Sequence, residues 1–275
     1  MKVIERTITL EDKKEPLILI PMGDMHIGNA NCDLTYLKKM LKWINEKPNC
    51  YMLGMGDYVD CIVPQDKRFD FKEVDKQFVK DLDNLPMAQV DYVRDLFMPL
   101  AEANKIITLI PGNHEDMFRL RSGVNVMSEL CKPLKIIAGD MMTFVRIKFD
   151  QKQFHTSPLT IWMHHGFFGG GRKKGSKVNN LEDVATGYSA SIYLAGHSHN
   201  LFSTSSVQIS LASSGTQTVA NKKTFVNTGT FLKTLSKSGA NGYSERKAYT
   251  PVKIGVVRID VYPRKLGLPD VHTRE

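Results

Sequence analysis

Leu17-Ile18-Leu19-Ile20-Pro21-Met22-Gly23-Asp24-Met25-His26 is a short apolar run that opens into a glycine turn carrying an Asp and a His. A run of this kind without a polar face reads as a buried strand, and its chemistry sits at the carboxyl end. The same phrase returns four times. Cys50 to Leu53 leads to Gly54-Met55-Gly56-Asp57, and Lys105 to Ile110 leads to Pro111-Gly112-Asn113-His114-Glu115-Asp116. Leu159 to Met163 leads to His164-His165-Gly166, and Ser191 to Ala195 leads to Gly196-His197-Ser198-His199.

The intervals fit a layered protein. Leu34 to Glu46 carries Leu34, Leu37, Leu41 and Ile44 at helical spacing. Cys61 to Asp70 reads as an irregular loop, and Phe71 to Leu100 as one or two helices interrupted near Pro86. A helix passes through Met127 and Leu130, and Met141 to Phe149 alternates like a half-buried strand. From Leu201 onward Thr, Ser and Val with repeated Gly and Asn predict mostly antiparallel strands. This rhythm predicts an α/β or layered αββα fold. With no internal repeat, low-complexity tract or long linker, a single domain over residues 1–275 is expected.

The 275 residues are 42% hydrophobic and 24% charged, which argues against disorder, collagen and a membrane bundle. No apolar run approaches the ~18 residues of a membrane span. Residues 1–164 hold 22 bases and 23 acids, whereas residues 165–275 hold 15 and 6. A basic second half suggests an anionic partner: nucleic acid, a phosphorylated small molecule or an acidic surface. Cys32, Cys50, Cys61 and Cys131 form no C-x-x-C pair, and Met1 to Leu10 is a charged alternating stretch rather than a signal peptide. A reducing cytoplasm is the expected compartment, with the thiols serving as buried small hydrophobes.

Each strand-end motif has an ordinary explanation taken singly: a turn Asp beside a surface His, Gly-Asp and Gly-Asn turn pairs, one buried and one exposed imidazole in His164-His165. Five in succession are harder to explain that way, because the carboxyl ends of strands are where α/β proteins build sites. The mixed oxygen and imidazole donors suit Mn, Fe, Zn, Ni or Co better than Ca or Mg. About seven donors exceed the needs of one ion. They suggest two ions sharing a carboxylate, about 3.5–4 Å apart, the clamp used on phosphate esters.

The motif series D-x-H, G-D-x-x-D, G-N-H-E/D, H and G-H-x-H, in this order from Asp24 to His199, resembles the calcineurin-like metallophosphoesterase superfamily over about two thirds of the chain. The resemblance implies a four-layer αββα sandwich with two mixed β-sheets and a dinuclear site at strand carboxyl ends. It implies Asp24, His26 and His199 on one ion, Asn113 and His197 on the other, and Asp57 bridging. The last ligand comes from His164-His165: the His-Gly form favours His165, strand length favours His164, and His165 is the expectation. The implied cofactors are two divalent transition-metal ions, Mn first, with Fe, Zn, Ni or Co as the others. The implied mechanism is phosphoester hydrolysis by a bridging hydroxide, with His114 protonating the leaving oxygen and the Asp60 carboxylate orienting that imidazole. The sequence has no G-x-S-x-G element and no visible Cys–His pair, which disfavours a covalent nucleophile.

Departures from the family narrow the substrate. Gly56-Asp57-Tyr58-Val59-Asp60 is similar to Ser/Thr protein phosphatases, but Cys61-Ile62 and Pro111 stand where those enzymes carry phosphate-gripping arginines. His165-Gly166-Phe167-Phe168-Gly169-Gly170-Gly171-Arg172 looks more like the phage and prokaryotic members. Its continuation, Arg172, Lys173, Lys174 and Lys177, makes a cationic loop beginning at a candidate ligand, so Arg172, Lys173 and Lys174 are expected to contact substrate. Lys222, Lys223, Lys233, Lys237, Arg246, Lys247 and Lys253 lie among Phe225, Phe231, Tyr243 and Tyr249. Such aromatics either stack nucleobases or, more often in a β-rich region, form core. The expected partner is a phosphoester substrate, nucleotide or nucleic acid included, and no membrane. A phosphodiesterase or phosphatase ranks first, a DNA or RNA nuclease second, and a non-catalytic scaffold last, because His114 and the ligand set are all retained.

Overall fold

The computed structural model describes residues 1–10, 15–150, 157–166, 173–212, 215–235, 243–264 and 268–275. In chain order its elements are β1 (Lys2–Thr9), β2 (Leu17–Met22), α1 (Leu34–Glu46), β3 (Cys50–Gly54), α2 (Leu85–Glu102), β4 (Ile106–Leu109), α3 (Asn113–Ser122) and α4 (Val126–Cys131). They continue with β5 (Met142–Asp150), β6 (Leu159–His164), α5 (Lys174–Gly187), β7 (Ile192–Ala195), β8 (Leu201–Leu211), β9 (Thr218–Thr228), α6 (Tyr243–Arg246), β10 (Arg258–Tyr262) and β11 (Asp270–Arg274).

Two mixed sheets result, ordered β1-β5-β6-β7-β9-β8 and β11-β10-β2-β3-β4. In the second, β2, β3 and β4 run parallel while β10 and β11 are antiparallel additions. In the first, β6, β7 and β9 run parallel, while β5 and β8 run antiparallel to their neighbours β6 and β9. The expected antiparallel character after Leu201 therefore holds for the β8–β9 and β10–β11 pairs, whereas β9 also lies parallel to β7.

Period-two burial explains the layers. Along β2, Leu17 and Leu19 enter one apolar cluster with Ile161, Met163, Ile192 and Leu194 of the other sheet. Ile18, Ile20 and Met22 point the opposite way and pack with Leu37 and Leu41 of α1 and Val93 and Phe97 of α2. Trp162 and Tyr193 leave the far face of the first sheet to meet Leu181 of α5. Sheets face each other and helices cover both outer faces, giving an α/β sandwich of four layers.

Local chemistry sets the helix ends. The Asp33 carboxylate accepts the Tyr36 N–H at 3.1 Å and starts α1. Pro86 sits in the first turn of α2, so the expected interruption is that helix's beginning. Upstream, Phe71–Glu73 and Lys76–Asn84 are tighter 3₁₀ turns whose first N–H groups are capped by Asp70 and Asp75.

Phe225 and Phe231 are core residues, 1% and 0% exposed, which removes them as nucleobase platforms. Tyr249 is 46% exposed, and the Tyr243 side chain lies outside the described residues. Cys50, Cys61 and Cys131 are buried and Cys32 half-buried, all with free thiols. Burial pushes the Cys50 and Cys131 thiols up to about 12, as expected for inert small hydrophobes. Among the described residues no helix is long and apolar enough to cross a membrane. Leu19→Ala, at the centre of the inter-sheet cluster, is expected to cost about 2–5 kcal/mol in urea unfolding, with an unchanged denaturant slope.

Candidate metal centre

The strand ends converge at one place. Asp24 and His26 follow β2, Asp57 follows β3, and Asn113 and His114 open α3 after β4. His165 follows β6, and His197 and His199 follow β7. Asp24, His26, Asp57, His197 and His199 all adopt left-handed backbone, with φ of 49°, 47°, 52°, 62° and 57°. For non-glycine residues this costs energy and persists only where surrounding bonds over-determine it. Those bonds are present. Asp24 N–H donates to Gly56 O at 2.9 Å, Met25 and His26 N–H to Asp57 O at 2.8 and 3.0 Å, and Phe231 N–H to Asp24 O at 3.0 Å. Gly56 has φ of 89°, and a Cβ there would lie 2.5 Å from Gly112 backbone, so only glycine lets these turns touch.

Each aspartate is held by one oxygen and offers the other. Asp57 Oδ1 accepts the His114 N–H and Asp24 Oδ2 accepts the His197 N–H, both at 2.9 Å. Asp57 Oδ2 lies 3.2 Å from His165 Nε2 and 3.8 Å from His26 Nε2, between the two sides of the cluster. Asp24 Oδ1 lies 3.3 Å from His199 Nε2, is fully buried and lacks a hydrogen-bond partner. His26 Nε2 and His199 Nε2 face each other at 3.2 Å. Asn113 Oδ1 lies 2.7 Å from His197 Nδ1 and 3.1 Å from His165 Nε2. His165 Nδ1 is 2.7 Å from Met55 O, a contact that fixes the proton there and leaves Nε2 as the donor atom. Asp24, His26 and His199 form one group able to hold a cation, and Asp57, His165 and His197 another. Lone pairs crowded this closely need protons or cations between them, so the residues fit a pair of bound ions.

Electrostatics match. Burial opposes the Asp57 charge, yet His165 and His114 hold its carboxyl well below the usual range. Burial also opposes charge on His165, but Asp57 and Asp24 push it up to about 10. That proton occupies a position a cation would take, so cation uptake displaces it. His164 is elsewhere: its Nδ1 accepts the Gly166 N–H at 2.9 Å and its ring stacks on Trp162 at 5.7 Å. It belongs to neither group, so of the adjacent pair the structure brings His165 to the cluster.

His114 Nδ1 meets the Asp60 main-chain carbonyl at 2.5 Å, while the Asp60 carboxylate is 3.9 Å away and nearer to His26 Nδ1, at 3.5 Å. The imidazole is thus oriented by the Asp60 backbone rather than, as expected, by its carboxylate, which contributes charge. Burial lowers the His114 pKa, but Asp57, Asp60 and that carbonyl raise it above its ordinary value against the opposing charge of Arg68. Lys173 precedes α5 and Lys174 begins it, with the Lys174 ammonium 5.7 Å over the Phe202 ring. Arg172 lies outside the described residues. Several C-terminal bases are engaged elsewhere: Lys222 with Val271 O, Lys223 with Ala185 O, Lys233 with Asp33, and Arg246 with Asp70.

Glu115 is a residue whose role sequence reasoning missed. Its carboxylate is 1% exposed and accepts the N–H groups of Gly112, Asp57, Tyr58 and Val59 at 2.8, 3.0, 2.7 and 3.2 Å. One side chain therefore clasps the turns carrying Asp57 and Asn113. The capping-box position three residues after Gly112 was a usable signal for the Gly112 bond only. Glu115→Gln, which turns an acceptor into a donor against these N–H groups, is expected to cost about 1–3 kcal/mol and to weaken metal uptake. Denaturant unfolding and metal titration check both, and wild-type values in the two would remove the clasping role.

The family model described as calcineurin-like phosphoesterase matches residues 20–201. No curated protein matches the sequence. Among solved structures, wild-type Vps29 with zinc from Entamoeba histolytica is 11% identical, with TM-score 0.38 over 94% of this chain and 98% of that one. Vps29 from Cryptosporidium parvum is 16% identical, with TM-score 0.36 over 95% and 98%. An uncharacterized protein from Streptococcus pneumoniae, described as a predicted phosphoesterase, is 12% identical, with TM-score 0.34 over 94% and 98%. With the family model spanning the strand ends that carry every residue of the cluster, the chain belongs to the calcineurin-like phosphoesterase family.

Proposed function

We propose that the protein hydrolyses phosphodiesters or phosphomonoesters at a two-cation centre, with Asp24, His26 and His199 on one side, Asn113, His165 and His197 on the other, and Asp57 between. The observation carrying this reading is the buried convergence of these donors, with Asp57 Oδ2 within 3.8 Å of an imidazole from each side. When bound, divalent cations supply an acidified water as nucleophile and neutralise phosphoryl charge. The mixed donors favour Mn, with Fe, Zn, Ni or Co as alternatives. His114, fixed through Nδ1, would carry its transferable proton on Nε2, and the Asp57 and Asp60 charges beside it favour that protonated form. The P–O bond breaks, and the departing alkoxide takes this proton. Asp60 holds the ring by its carbonyl and favours the cationic form by its charge. Lys173 and Lys174, with Arg172, are assigned to substrate contact. The nuclease alternative loses support from the burial of Phe225 and Phe231 and from the engaged lysines, so a small phosphoester is favoured. A reducing cytoplasm is the proposed setting, in line with the free buried thiols.

Protein reloaded with Mn²⁺ should hydrolyse bis(p-nitrophenyl) phosphate or its monoester. Inactivity across Mn, Fe, Zn, Ni and Co would overturn the reading. His114→Ala should keep two bound ions and lose roughly 10²- to 10⁴-fold in turnover of an alkyl ester. It should lose much less with p-nitrophenolate, which departs without a proton, and equal losses would remove the acid role. Asp57→Asn should lower metal stoichiometry, read by elemental analysis, and two ions retained would argue against its shared position.

A further inference from the structure

Among the buried residues of α2, Gln89 stands beside Val90, Val93 and Phe97 as the only polar side chain, 1% exposed. A polar group kept out of water on the packed face of a helix calls for a partner, and the chemistry above gives Gln89 no part. The partner is the Cys61 N–H, which donates to Gln89 Oε1 at 2.9 Å. Gly28, two residues after His26 and with φ of 109°, makes room for the amide. A Cβ there would lie 2.0 Å from Gln89 Nε2.

That N–H belongs to the same peptide as the Asp60 carbonyl that holds His114. A trans peptide is planar, with its N–H and C=O pointing opposite ways, so a bond on one side aims the group on the other. Gln89 Oε1 takes the N–H, and His114 Nδ1 lies 2.5 Å from the carbonyl oxygen. The local backbone preference runs against this arrangement. Cys61 has φ of 49°, a conformation costly for a side chain other than glycine. Half a turn of the peptide would carry Cys61 to negative φ and aim the Asp60 carbonyl away from His114. The Asp60 N–H bond to Ile27 O, at 2.9 Å, anchors the preceding peptide and does not fix this one. Turning it would orphan a buried N–H and the Gln89 amide together, which opposes the turn. Donation to Gln89 also polarises the carbonyl that His114 meets, so the two bonds reinforce each other.

We propose that Gln89 is a positioning residue for leaving-group protonation: through the Asp60–Cys61 peptide it holds the His114 ring so that Nε2 faces the departing oxygen. This rests on the hydrolytic reading above. Gln89 is not among the proposed ligands, so its loss falls on substrates whose leaving group needs a proton and weighs less on those that depart without one.

The test replaces Gln89 with Met, of similar length but without the acceptor, and with Glu, which keeps it. In the metal-loaded protein kcat is compared within two pairs of esters. One is TpT against thymidine 5′-(p-nitrophenyl phosphate), and the other is glycerol 2-phosphate against p-nitrophenyl phosphate. Gln89→Met should keep two bound ions and lower the alkyl-to-nitrophenyl ratio about 10- to 100-fold in the pair that the wild type cleaves, the effect of roughly an ångström of misplacement. Gln89→Glu should restore most of the ratio. A packing role alone would lower both members of a pair together and leave the ratio unchanged, which overturns the proposal. Wild-type cleavage of the nitrophenyl esters alone overturns it too and leaves hydrolysis standing. Zinc-loaded protein gives a readout without turnover. The His114 Nδ1 proton, assigned in nitrogen-edited proton spectra by its absence from His114→Ala, should resist exchange in the wild type and Gln89→Glu and be lost in Gln89→Met. Equal protection in Gln89→Met, or no such proton in the wild type, overturns the hold on the ring. No turnover of any of the four esters overturns hydrolysis, and the role in protonation with it, whatever the spectrum shows.

Discussion

A single buried carboxylate, Glu115, ties together the two turns on which the centre is built. Its four main-chain bonds reach Gly112 on its own turn and Asp57, Tyr58 and Val59 more than fifty residues earlier. A buried charge without partners would be strongly unfavourable, and four N–H donors compensate for its lost hydration. The consequence is positional. Asp57, proposed to lie between the two ions, and Asn113, proposed for one of them, are set by one side chain that is not itself among the proposed ligands.

Around that clasp the protein opposes two kinds of cost. The left-handed backbone at Asp24, His26, Asp57, His197 and His199 is locally unfavourable, and the crowding of carboxylates and imidazoles out of water is unfavourable too. Both are offset by the sheets behind them, whose inner faces supply Leu17, Leu19, Ile161, Met163, Ile192 and Leu194 to a dry cluster. The rigid part of the molecule is apolar and ends where the strands end; the reactive part begins at the next residue.

The charge of the chain is arranged less simply than its composition suggests. The basic second half spends several cations on structure: Lys233 on Asp33, Arg246 on Asp70, Arg258 on Asp260 and Arg264 on Asp270. Arg68, whose charge acts on the proposed proton donor, comes instead from the neutral front half, where it shares Asp66 with Arg121. A net charge counts residues along a chain, whereas a site feels only what folding brings near it.

Buried strands and the residues after them are contiguous in sequence, so the five strand ends, the layered class and the candidate ligands were legible without coordinates. What needed the fold were relations between segments. His164 and His165 are neighbours, and adjacent side chains leave a strand in opposite directions, so only the end of β6 decides which one enters the cluster. Whether Asp60 holds His114 by carboxylate or carbonyl is a matter of backbone path. Phe225 and Phe231 had the composition of a stacking surface and became core because Phe225 on β9 packs with Trp162, Leu181 and Tyr193, while Phe231, beyond that strand, packs against Tyr36 of α1. The partners of Glu115 on the Asp57 turn, and the meeting of Arg68 with Arg121, left no local pattern to read. Sequence alone determined which chemistry each strand end offers, because side-chain type and strand burial are local properties. Tertiary structure decided which atoms face one another, because register, twist and the packing of distant turns fix distances that no single stretch of chain contains.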